Sequence, residues 1–148
     1  MSAALPCGAH ERGNTLAEFA VVLTTLMMLI FGIVDFGRAM YVYHLVGHAA
    51  RAGARYAIVR GSACSAADCP ATNASIQTYV RSLMPELNAP DVTVTANWSS
   101  SPGCATGDNA PGCLVSVNVV YDLKLFAVPL LPVARIHMNS TSQMVISQ

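Results

Sequence analysis

Sixteen consecutive residues, Phe19 to Val34 (FAVVLTTLMMLIFGIV), carry no charge. As an α-helix this run is about 24 Å long, a little short of a ~30 Å hydrocarbon core. If Glu18 and Asp35 are tolerated at the boundaries, residues 14–37 reach about 36 Å. Leu23, Leu26, Met27, Met28, Leu29, Ile30 and Phe31 cover every face of such a helix. A buried helix of a soluble domain has an apolar stripe on one side, not around its whole circumference. The run is therefore expected to cross a membrane.

Composition agrees. The chain has 148 residues, 53% of them hydrophobic and only 11% charged, where an ordinary soluble domain has roughly 25% charged. That excludes intrinsic disorder. Lysine plus arginine equals aspartate plus glutamate at 8 each. There is no basic excess to hold a phosphate backbone, so no nucleic-acid partner is expected. Residues 14–60 are net positive and residues 61–148 net negative.

Three kinds of N-terminal signal could hold the run. A lipoprotein signal using Cys7 fails, because only six residues precede it and none forms an apolar region. A cleaved secretory signal would need small residues just after the run. The candidate there is Gly37-Arg38-Ala39, with Arg38 inside the site and Asp35 just before it. The third kind is cut before the run, which then stays in the mature protein. The residues fit it: Arg12-Gly13-Asn14-Thr15-Leu16-Ala17-Glu18-Phe19 leads directly into the run.

The helical pattern continues past Asp35. No proline occurs between Pro6 and Pro70, so nothing forces a break. Val42, Leu45, Val46, Ala49, Gly53, Tyr56 and Ala57 recur at spacings of three and four, one face of an amphipathic helix. The expected helix spans residues 15–59, with Gly61 as its stop. Asp35 and Arg38 are three apart and can pair. Ala49, Gly53 and Ala57 form one row of small residues, Ala50 and Ala54 another. Such rows allow close approach of either a partner helix or the chain's own globular part.

The N-terminal pattern resembles the processing site of type IV pilin-like proteins. The longer stretch RGNTLAEFAVVLTTLMMLIFGIVDFGRAMYVYHLVGHAARAGARYA resembles the characteristic region of the TadE-like family, pilin-like proteins of the bacterial tight adherence (Tad, or Flp) pilus systems. The resemblance rests on Glu18-Phe19, on Phe31 to Arg38 and on Ala49 to Tyr56. It covers about residues 12–60.

The resemblance implies a leader, residues 1–13, removed after Gly13 by a prepilin peptidase. Asn14 would become the N-terminus and Glu18 the fifth mature residue, beside Phe19. In pilin-like proteins that carboxylate is thought to pair with the N-terminal amine of a neighbouring subunit, which offsets the cost of a carboxylate at the lipid boundary. The implied partners are the peptidase, other Tad pilus or assembly subunits, and the lipid bilayer. The implied location is the inner membrane, N-terminus inside and C-terminal domain periplasmic.

Charge counting points the other way. Arg12 flanks one side, and Arg38, Arg51 and Arg55 the other. The cysteines side with the resemblance, and the excess arginines could rest on anionic headgroups of the outer leaflet. With Cys7 in the leader, Cys64, Cys69, Cys104 and Cys113 remain, an even number on one side of the membrane. Two local disulfides are the simplest pairing of three possible, and they suit an oxidising periplasm. A four-thiolate zinc site is the rival, but only the first pair has suitable spacing.

Residues 61–148 read as α+β. Asn73–Met84 predicts a short helix ended by Pro85. Strands are expected at 92–98, 114–123 and 135–146, with an apolar connection at 126–132. The expected fold is a long N-terminal helix, transmembrane over 14–37 and amphipathic over 38–60, followed by a three-stranded antiparallel sheet packed on a helix. Val94, Val117, Val119 and Tyr121 are core candidates. His44 and His48 are four apart but lack the glutamate of a zinc-protease motif. His137 has no evident partner. No nucleophile–base set, phosphate loop or dinucleotide motif is visible. The reading is a non-enzymatic protein with no cofactor, metal or small-molecule substrate, acting in assembly of a pilus. The alternative is a membrane-anchored periplasmic interaction domain outside any filament.

Overall fold

A computed structural model describes residues 11–99, 103–105, 107–125 and 135–147. Most of the leader, Cys7 and the 126–132 connection lie outside these. Helix α1 spans Glu11–Ile58, and α2 spans Asn73–Ser82. A 3-10 turn at Ala89–Asp91 leads into β1 (Val92–Ser99), then β2 (Leu114–Lys124) and β3 (Arg135–Val145). The strands form one antiparallel sheet in the order β1-β2-β3. The fold is α+β, as expected, and each strand ends within one residue of its expected limits.

Helix α2 starts where Thr72 and Ser75 form a capping box: each side chain accepts from the other residue's backbone N–H, at 3.2 and 2.9 Å. It ends at Ser82, two residues before the expected limit, with Leu83 as its cap. Pro85 follows and cannot donate to continue the ladder.

Both helices lie on one face of the sheet. From α1, Val42, Val46, Ala49, Ala50, Ala54 and Ala57 are buried, the face that the three-and-four spacing marks. They meet alternate residues of the strands, among them Val94, Val117, Val119 and Tyr121, all buried as core. Ile76 and Val80 complete the core from α2. The opposite sheet face is polar. There Asn118 Nδ2 donates to Asn139 Oδ1 at 2.7 Å and to Thr141 Oγ1 at 2.8 Å.

The region around and just past the end of α1 is knit together by three hydrogen bonds. Ser147 donates its backbone N–H to the Ile58 carbonyl oxygen, Ser62 to that of Asn109, and Asn109 Nδ2 donates to the Ala71 oxygen at 3.1 Å. Two disulfides brace the same region, Cys64–Cys69 and Cys104–Cys113. The second closes the β1–β2 hairpin loop. These bonds use the four thiols that a zinc site would need.

Candidate functional site

Helix α1 has 48 residues, about 72 Å at 1.5 Å per residue. Only its C-terminal part is packed. From Thr15 to Val34 every residue is exposed. Thirteen large apolar side chains lie bare between Leu16 and Val34, with Phe19 63% and Met28 78% exposed. Burying such a side chain is worth about 1.5–3 kcal/mol. Leaving them all in water would cost on the order of 20 kcal/mol, more than the roughly 5–15 kcal/mol that holds a domain together. The exposed stretch therefore requires an apolar surrounding.

A bilayer also demands that polar groups within it be satisfied internally. Thr24 and Thr25 meet that demand. Their hydroxyls donate to the carbonyl oxygens of Ala20 and Val21, at 2.7 and 2.9 Å. Helix α1 is long and apolar enough to cross a membrane.

The change from bare to packed helix falls at Asp35, whose side chain is buried. Three residues on, Arg38 Nη1 donates to the Lys124 carbonyl oxygen at 3.2 Å. Tyr41 donates its hydroxyl to Glu86 Oε2 at 3.1 Å. That hydrogen bond, and then the negative charge of Glu86, hold the Tyr41 phenol above its ordinary value of 10.0. Helix and domain are thus fastened together immediately above the exposed stretch.

The sequence-derived residues fall into two groups. Gly13 and Asn14 lie in the first turn of α1, with Glu18 and Phe19 exposed one turn later. Ala49, Gly53 and Ala57 are buried against the chain's own α2 and sheet. A Cβ on Gly53 would stand 2.7 Å from Val80 Cγ2 and 3.2 Å from Val117 Cγ1. This close approach of helix backbone to core is what the small row provides here.

Arg51 and Arg55 lie about 24 and 30 Å along the helix from Asp35. Together with His48, Tyr56, Arg60 and Tyr79 they line a surface groove. Within it the Tyr56 and Tyr79 rings stack at 4.5 Å, and the Arg60 guanidinium sits 3.9 Å over Tyr56.

His137 does have a partner. Its Nδ1 lies 2.7 Å from Asp122 Oδ1, across the β2–β3 register. Among the described residues, His, Cys, Asp and Glu form no group of three able to hold a metal ion.

These features define a class: an α+β domain built onto the distal half of a single long helix, whose proximal half fits a single-pass membrane anchor. Residues 13–55 match the family model described as TadE-like protein. The matched segment is most of α1, so the likeness to TadE-like proteins is a likeness of this helix. No curated protein and no solved structure matches the chain.

Proposed function

We propose that the protein is a minor pilin- or pseudopilin-like subunit that acts in assembly of a Tad pilus, and through it in surface adhesion. The observation that carries this reading is that the TadE-like match, residues 13–55, takes in the whole run of exposed apolar side chains from Leu16 to Val34 on α1.

In this reading a prepilin peptidase cuts between Gly13 and Asn14. The mature chain stays in the inner membrane, N-terminus in the cytoplasm and domain in the periplasm. The two disulfides support the periplasmic side, since such bonds persist in oxidising compartments. Glu18 stands exposed near the new N-terminus, and a cation beside it would stabilise its carboxylate in an apolar layer. The amine of Asn14 on a neighbouring subunit would supply one. Lateral association of the bare helices then draws the subunit into the pilus or primes its growth.

The test is substitution in a bacterium that makes the pilus. Gly13→Val should leave the chain uncut and abolish its part in assembly. Glu18→Ala should leave it cut and membrane-bound yet poorly incorporated. Normal assembly by both variants would overturn the reading and leave a membrane-anchored periplasmic interaction domain.

A further inference from the structure

We infer that the end of the sheet carrying Lys124 and Arg135 rests in the phospholipid headgroup layer of the bilayer that α1 spans, as a second membrane contact beside the helix. The inference depends on α1 being that span.

Depth follows from helix geometry. A ~30 Å hydrocarbon core takes about twenty helical residues, and the exposed apolar side chains of α1 end at Val34. Arg38 is four residues further on, about 6 Å beyond the core. The headgroup layer is roughly 5–8 Å thick on each side, so Arg38 lies within it. The bond from Arg38 Nη1 to the Lys124 carbonyl oxygen, 3.2 Å, holds the end of β2 at that same depth. The register sets Arg135 opposite Lys124 and Ile136 opposite Leu123. The start of β3 is therefore at headgroup depth too.

The side chains suit the location. Lys124 and Arg135 are exposed, and so is the large apolar side chain of Ile136, at 39%. A long basic side chain at a membrane surface lays its stem along apolar groups such as Ile136 with its charge among the headgroups. On α1, Phe36 is 69% exposed at nearly the same depth. The charges here are largely matched: Lys124 Nζ is 3.3 Å from Asp91 Oδ2, and Asp122 faces His137. Zwitterionic headgroups therefore suffice, and anionic lipid is not required.

The test uses the full chain with Cys7→Ser, reconstituted in phosphatidylcholine vesicles that contain headgroup-spin-labelled lipid. Ile136→Cys, and separately Arg135→Cys, would carry a polarity-sensitive fluorophore. Asn97→Cys, at the far end of the sheet, is the reference. Quenching several-fold stronger at 135 and 136 than at 97, unchanged when phosphatidylglycerol is added, is the expected result. Equal, weak quenching at all three positions in protein that resists carbonate extraction would overturn the second contact alone. Protein washed from the vesicles by carbonate would overturn the span and the contact together.

Discussion

Gly53 shows how much one missing side chain can decide. A Cβ there falls 2.7 Å from the buried Val80 Cγ2, closer than packed atoms tolerate. Gly53→Val should therefore destabilise the domain by about 1–3 kcal/mol, the usual range for overpacking, read as a lower urea midpoint. Gly37→Ala, with nothing within 4 Å of the new methyl, should not lower it. Tyr41 and Glu86 give a pH signature. With its pKa raised in the fold, the Tyr41 phenol contributes stability that is present below 10.0, the unfolded value, and lost as pH rises through the folded one. Glu86→Gln should move the Tyr41 phenolate titration down toward 10.0, seen by absorbance against a Tyr41→Phe background. No movement would mean that the Tyr41–Glu86 bond does not form in solution. Contacts of this kind were not legible in the sequence. Tyr41 and Glu86 are 45 residues apart, and Arg38 and Lys124 are 86 apart. His137 appeared solitary because its pairing with Asp122 depends on a strand register that no local pattern reveals.

Elements were far easier to read than contacts. Alternation in β1 and β2 marks both their limits and the buried side, because side-chain direction in a strand has a period of two. The continuous helix was legible because no proline interrupts it. What the spacing could not decide was the use of Ala49, Gly53 and Ala57, since a partner helix and the chain's own core make the same demand for small residues. The loops depend on covalent closure. Cys104 and Cys113 are nine apart and close a hairpin whose strands supply much of the core. Replacing both by serine should cost about 2–3 kcal/mol by loop-closure entropy, measured as a shift in the unfolding midpoint. Alkylation of the native protein without reductant should leave Cys64, Cys69, Cys104 and Cys113 unmodified. Their ready modification would contradict an oxidised domain.

At the scale of the whole molecule, two environments are written into one helix. From Thr15 to Val34 every residue of α1 is exposed and most are apolar; from Val42 one face is consumed by the sheet and α2. The same distinction explains why the long apolar helix was legible and the architecture beyond it only in outline. A span needs hydrophobicity and length, which a sequence displays directly, whereas a domain needs pairings. The anchor makes a direct prediction: the full chain should stay with bacterial membranes through alkaline carbonate, and Val22→Arg with Leu29→Arg should release it. The most direct test of a pilin-like subunit is the intact mass and N-terminal peptide of the protein isolated from native membranes. A chain beginning at Asn14 is expected. A chain that retains residues 1–13 would contradict processing and leave a plain membrane anchor, and one beginning near Met40 would contradict the membrane span itself.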